Sequence, residues 1–339
     1  MHSPTLEKSL RIAATWAVTT SWLAMASLDA VAATNGKIVF QRGYGAFVDT
    51  PYNRGGQLRV TDPSTYSPAG GTVTETLFGD GSQPHVSLDG TKVVFLDNTH
   101  LTVTPTGTYS PQGIVVAGGG SNLTGLYPRL SPDATLIAYQ NPGALGKVAV
   151  TTVGCTSGNE RNPLVCNWSI LDGSSAASNV QPSWYPLLQP SGGKTNAWIL
   201  FVRKADQNAG VGDISMTSVS IAPGGVVTEG STVNLTRSPA AYSFPSYSPN
   251  GLRILFGKDG GLWTMGSDGT APKQIVHDTG GSPGLLNGRH PVWSPDGRKI
   301  AFDYGDASGQ IYVADITFAG DGTATASNVI TQPGLRRTC

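Results

Sequence analysis

One thirteen-residue pattern returns along this chain and limits what it can fold into more than any other feature. His290-Pro-Val-Trp-Ser-Pro-Asp-Gly-Arg-Lys-Ile-Ala-Phe302 is matched position for position by residues 83–95, 127–139 and 244–256. A degenerate copy covers residues 181–186 and resumes at 197–201, after a longer turn that carries Gly192 and Gly193. Each copy reads as a strand, a tight turn and a second strand: 291–294, the turn Pro295-Asp296-Gly297, then 299–302. Gly297 supplies a positive φ, Pro295 presets its own φ, and Asp296 can bond its own backbone.

The copies continue alike. A third strand of alternating apolar residues follows, as at 147–150, 261–265 and 310–314. A Gly- or Asp-rich turn then leads to a fourth strand, as at 267–270 before 273–276. The repeat prolines Pro84, Pro128, Pro182, Pro245 and Pro291 are spaced by 44, 54, 63 and 46 residues. Four short strands in roughly 45 residues is the signature of a propeller blade, which buries its sheet faces only by stacking on its neighbours. A sixth unit opens the chain, with its second, third and fourth strands at 37–40, 57–60 and 74–78 and no first strand. At the far end, Gln332-Pro333 repeats the start seen at Gln83-Pro84. Either residues 332–339 supply that missing innermost strand, or they end as a frayed tail. The fold expected is therefore all-β: a six-bladed propeller of four-stranded antiparallel blades, its ring closed by the chain termini. The 44 glycines and 23 prolines among 339 residues suit so many turns.

The first 32 residues read as a signal peptide. Lys8 and Arg11 make a weakly basic start, residues 12–28 are mostly apolar, and Ala30-Val31-Ala32 fits a small-residue cleavage site. A retained membrane anchor is the alternative, weakened by the Thr and Ser residues within the stretch and by Asp29 after it. No later stretch of the mature chain is apolar enough to span a bilayer, so residues 33–339 are expected as a single exported propeller domain, periplasmic or secreted. Cys155 and Cys166 enclose ten residues and can pair in an oxidising compartment or stay as two thiols, while Cys339 has no evident partner. Lys plus Arg and Asp plus Glu are both 22, and no basic run occurs, which argues against a nucleic-acid partner or an anionic membrane surface.

The motif Pro-x-Trp/Tyr-Ser-Pro-Asp/Asn-Gly-x-x-Ile-x-Phe, followed by a strand such as Ile311-Tyr312-Val313, resembles the WD-like repeat of TolB-type six-bladed propellers. The resemblance extends over nearly all of residues 36–331. Similar repeats build the propeller halves of prolyl-oligopeptidase-type enzymes and the oligogalacturonide lyases, so the motif specifies architecture more than activity. TolB proteins carry an N-terminal α/β domain before the propeller; here the signal runs almost directly into the first unit, which separates this chain from full TolB function.

Asp89, Asp133 and Asp296 repeat with the turns, which assigns them to structure, and Trp184, Tyr247 and Trp293 share one strand position and read as inter-blade core. Non-repeating residues of the loops at one mouth are better binding candidates. The first unit offers Arg42, Tyr44, Tyr52 and Arg54; later loops offer Lys204, Asp206, Lys258, Asp259, Asp303 and Tyr304. His85, Arg129, Arg289 and His290 lie near the starts of inner strands, the last two read as departures from the repeat. The binding set is thus Arg42, Tyr44, Arg54, His85, Arg129, Asp206, Arg289, His290, Asp303 and Tyr304, against the plainer reading of an ordinary solvated rim. No catalytic residue and no cofactor is assigned. His85 and His290 alone fall short of a metal site, which needs three or four converging ligands.

The expectation that follows is an exported, monomeric, non-enzymatic propeller that binds a protein or cell-envelope component through one funnel face. The alternative is a carbohydrate-active enzyme such as a metal-assisted oligouronide lyase. Tyr44, Tyr52 and Tyr304 would stack on sugars, and Arg42, Arg54, Arg129 and Arg289 would hold uronate carboxylates. A purely structural envelope module is the third reading. Terminal sequencing of the exported protein tests the leader: the mature chain should start at or within a few residues of Ala33, and an intact Met1 would establish a retained anchor.

Overall fold

The computed structural model describes residues 38–43, 56–61, 75–97, 100–105, 114–116, 125–141, 146–153, 168–172, 176–277, 288–304, 310–320 and 324–336. All of them belong to the unit Thr34–Cys339. Its strands are rich in β-branched and aromatic residues and are cut by Gly, Asp and Pro turns. No helix occurs among the described residues, and so none is long and apolar enough to cross a membrane.

Six sheets follow one another in chain order. The first holds β1 (Ile38–Gly43), β2 (Gly56–Thr61) and β3 (Glu75–Asp80). The second holds β4 (Ser82–Val86), β5 (Lys92–Asp97), β6 (His100–Pro105) and β7 (Ile114–Val116). The third holds β8 (Leu126–Leu130), β9 (Leu136–Asn141), β10 (Lys147–Thr152) and β11 (Trp168–Ile170). The fourth is larger: β12 (Ser178–Trp184), a short β13 (Gln189–Ser191), β14 (Lys194–Lys204), β15 (Gly212–Ile221) and β16 (Val227–Asn234). The fifth holds β17 (Tyr242–Tyr247), β18 (Arg253–Lys258), β19 (Gly261–Gly266) and β20 (Lys273–Gln274). The sixth holds β21 (Val276–His277), β22 (Gly288–Trp293), β23 (Lys299–Tyr304), β24 (Gln310–Phe318) and β25 (Ala324–Arg336).

The architecture is a β-propeller, with two corrections to the sequence expectation. Five sheets, not six, carry a complete four-strand antiparallel blade; the first has three strands among the described residues. The closure by the C-terminal residues is also overturned. Residues 332–336 continue β25 along β24, where Arg336 pairs with Gln310, and among the described residues no strand pairs with the free edge of β1. Between that pair and Tyr312↔Thr331 the register slips, so β25 carries extra residues there. Pro333, which has no N–H to donate, and Gly334, free of a Cβ, fall in that bulge. The run 273–276, expected as one fourth strand, divides: β20 stays on β19, and β21 crosses to pair in parallel with β25 of the next sheet.

The core lies between successive sheets. Leu58 and Phe95 pack the first pair, Val94, Leu101 and Tyr139 the second, and Leu255, Ile300 and Phe302 the last. β14 shows why central strands read as unbroken apolar runs. Ile199 and Phe201 face the cluster shared with the third sheet, while Leu200 and Val202 face the one shared with the fifth. All four have no accessible surface, and each contributes about 1.5–3 kcal/mol by leaving water.

The Ser-Pro-Asp-Gly turns are the hydrogen-bonded joints expected of them. Ser131 Oγ donates to Asp133 at 2.6 Å and accepts from the N–H groups of Thr135 and Leu136 at 3.2 and 2.9 Å. Ser87 with Asp89, Ser248 with Asn250, and Ser294 with Asp296 repeat the arrangement. Ser131 is 1% exposed. Ser131→Ala therefore leaves the buried Leu136 N–H unmet, while the Thr135 N–H keeps Asp133, and should cost about 1–3 kcal/mol in urea unfolding; an unchanged midpoint would contradict this role for the turn serine.

Candidate functional site

The innermost strands β4, β8, β12, β17 and β22 share an irregularity that the sequence pattern does not announce. In each, the residue before the repeat proline has a positive φ: Gln83 (52°), Tyr127 (52°), Gln181 (56°), Phe244 (48°) and His290 (48°). In each the register with the second strand slips at the same place. The residue preceding proline is already restricted away from the right-handed helical region, and a bulge of this kind re-aims a side chain. Here it aims five side chains at one another.

Gln83 Oε1 accepts the N–H of Tyr127 at 2.5 Å, and Gln181 Oε1 accepts the N–H of Phe244 at 2.8 Å. Tyr127, from the third sheet, meets Phe244, from the fifth, edge to face with ring centroids 5.3 Å apart. Phe244 in turn lies 4.0 Å from the imidazole of His290. Side chains from the third and fifth sheets, which are not neighbours, therefore touch. All five remain half-buried, so the group keeps an accessible surface.

His290 belongs to this ring, which corrects the reading of it as a departure from the repeat. Its Nδ1 lies 2.7 Å from Oδ2 of the buried Asp303. An ionised carboxylate only accepts, so Nδ1 carries the proton of that bond. A carboxylate-oriented imidazole can serve as a base, but this one packs on Phe244. Among the described residues no group of three or more His, Cys, Asp or Glu side chains converges on a point where a metal could bind.

His85 and Arg129 lie one residue beyond the prolines Pro84 and Pro128. His85 ties β4 to β8, whereas Arg129 bonds within its own strand. His85 Nδ1 accepts the N–H of Leu130 at 3.3 Å, and Arg129 Nη1 donates to the carbonyl of Pro128 at 2.9 Å. Some of the His85 surface stays accessible, yet protein atoms crowd the ring. That burial, and next the Arg129 charge, hold its pKa well below 6.5. Burial pushes the Arg129 guanidinium down to about 10, with Tyr127 opposing, so it stays charged at neutral pH. The indoles of Trp184 and Trp293 donate to the carbonyls of Arg129 and Ser246, at 3.0 and 3.3 Å, confirming their place between sheets.

The other candidates are scattered around this ring. Asp206 is exposed in the turn after β14 and accepts the N–H of Asn208 at 2.7 Å. Arg289 pairs with Asp303 across β22 and β23, Tyr304 ends β23, and Arg42 sits in β1. Tyr44, Arg54, Cys155 and Cys166 lie outside the described residues. Sequence reasoning missed Gln83, Tyr127, Gln181 and Phe244; their one shared signal is the position before each repeat proline.

No protein-family model matches the chain, and no curated protein does. Among solved structures it is similar to a provisionally assigned TolB from Agrobacterium tumefaciens, with 21% identity over 76% of this chain and 84% of that one, at a TM-score of 0.46. It is also similar to a provisionally assigned 6-phosphogluconolactonase from Bacteroides uniformis, with 11% identity over 85% and 81% of the two chains and a TM-score of 0.43. An oligogalacturonate lyase from Vibrio parahaemolyticus matches with 11% identity over 82% and 91%, at 0.38. These likenesses concern the propeller fold and nothing finer.

The depressed pKa of His85 has a pH signature. Above pH 6.5 the ring is neutral in both folded and unfolded chains and contributes no slope. As pH falls below that value the unfolded chain takes up the proton first, so stability drops until the folded-state pKa is passed. His85→Asn keeps an acceptor near Leu130 and removes the titration. Between pH 7 and 5 the wild type should lose more thermal stability than this variant; parallel curves would show that His85 does not resist protonation.

Proposed function

We propose that the protein is exported, matures to a single propeller domain over residues 33–339, and binds a protein or cell-envelope component through its funnel face without catalysing a reaction. The observation that carries this reading is the convergence of inner-strand residues. Rings from the third, fifth and sixth sheets meet near the starts of their inner strands, with Gln83 and Gln181 bonding between neighbouring sheets, which favours a partner that covers a broad face. Around it, the turn 205–208, the segment 237–239 and Asp259 are exposed. They stand on long paired strands, the rigid support on which loop residues bind best. Asp206, Arg289, His290, Asp303 and Tyr304 are proposed as contacts on this face, with Arg42, Tyr44 and Arg54 contributing from the first unit. His85 and Arg129 are proposed to contribute from the starts of β4 and β8. The lyase alternative asks for metal ligands at the same mouth, where His290 is paired with Asp303 and packed on Phe244.

A photoreactive phenylalanine analogue placed at Asp206 or Asp259 tests the face, with Arg298, exposed in a turn at the opposite end of the strands, for comparison. Irradiation of the exporting cell should give a discrete adduct from the first two positions and none from the third. Adducts from Arg298 alone, adducts from no position, or release of unsaturated uronide from oligogalacturonate by the purified protein would each overturn the reading.

A further inference from the structure

The fourth sheet exceeds what blade packing requires. β14 has eleven residues and β15 ten, whereas β9 and β18, the second strands of the sheets on either side, have six. The surplus lies at the end of β14 remote from the funnel. There β13 folds back on β14 through Gly192 and Gly193, both at positive φ, the turn chemistry that a two-residue hairpin demands.

One face of this extension forms an open groove of about 330 Å³, the size of a small-ligand cleft. Pairing sets out its lining in rows. Gln189 opposes Asn196, Asn196 opposes Ser220, and Ser220 opposes Thr228. Four neutral polar side chains thus cross four strands at about 4.8 Å intervals, a ladder roughly 14 Å long. Two residues along β14, on the same face, is the half-buried Trp198, opposite Ser218.

The indole is held in place. Tyr185 meets it edge to face at 5.7 Å and meets Tyr247 likewise at 5.0 Å. Tyr185 in turn packs on the turn at Gly251, where a Cβ would come within 2.7 Å of its hydroxyl. The groove's one acid is turned away: the Glu229 carboxylate accepts from the Asp172 N–H at 2.7 Å and the Thr217 hydroxyl at 3.4 Å, on the opposite face. Among the described residues the side chains of Gln189, Asn196, Ser220 and Thr228 and the Trp198 indole N–H have no protein hydrogen-bond partner.

We infer that this groove binds a neutral oligosaccharide. A fixed indole offers its face to the C–H side of a sugar ring, and beside it stand amides and hydroxyls that both donate and accept, as sugar hydroxyls require. The absence of charge along the ladder favours a neutral glycan over a uronide. The site is independent of the funnel-face reading. Trp198 and Asn196 lie seven and nine residues up β14 from the turn that carries Asp206, about 23–30 Å away, so either reading can fail without the other.

Isothermal titration calorimetry with maltohexaose, cellohexaose, xylohexaose and N-acetylchitohexaose provides the test, alongside oligogalacturonate as a charged comparison. At least one neutral hexaose should bind. Trp198→Ala and the double variant Asn196→Ala/Thr228→Ala should each weaken it by roughly tenfold or more while retaining cooperative thermal unfolding. If Trp198→Ala does not fold, the double variant, altered only at surface side chains, decides alone. No binding by the wild type at millimolar sugar, binding of oligogalacturonate only, or affinity unchanged in the folded variants would overturn the inference.

Discussion

The positive φ before each repeat proline is the constraint on which the centre of this propeller depends. A non-glycine residue held in that region costs on the order of 1–3 kcal/mol, and five innermost strands accept it. The surroundings offset the strain in three ways. Proline already excludes the helical alternative for the residue before it. The exposed N–H groups of Tyr127 and Phe244 are taken by glutamine side chains from neighbouring sheets. The re-aimed rings of Tyr127, Phe244 and His290 then pack against one another, which spreads the gain over three sheets. Packing of these rings and association of the inner strands are therefore one event.

Local chemistry was legible and convergence was not. The Ser-Pro-Asp-Gly turns could be read from residues alone because each serine bonds an Asp or Asn side chain two positions on and a backbone N–H five positions on. The three strands of the first sheet were likewise visible as alternating runs. The axial ring was hidden because its members share a backbone conformation and not a residue type: Gln, Tyr, Gln, Phe and His share no common chemistry. A search for repeating residue types treats His290 as an exception, although its conformation makes it the fifth of five.

The C-terminal tail shows the opposite error. Gln332-Pro333 copies two residues of an inner-strand start, but the pair carries none of the turn that follows in the true copies. Continuing along β24 requires no new partner, only a bulge that takes up Pro333 and Gly334. Contiguous pairing outweighs a two-residue likeness because each residue added beside an existing strand gains its hydrogen bonds without closing a loop across the ring.

The fourth sheet shows how such a repeat can extend beyond the ring of inner strands. Each sheet packs chiefly on the next, so a sheet can lengthen at one end without disturbing the ring of inner strands at the other. β14 uses its middle for the core, with Ile199 and Phe201 on one side and Leu200 and Val202 on the other. Its last residues lead into the exposed turn at the funnel, and its first residues pair with β13 beyond the cover of the fifth sheet. Over eleven residues the strand spans about 33 Å, which sets the groove well apart from that turn. The degenerate fourth copy, weakest as a repeat, is thus the one whose departures carry structural content. Its missing Ser-Pro-Asp-Gly turn is replaced by Tyr185, which wedges against Gly251 and orients Trp198.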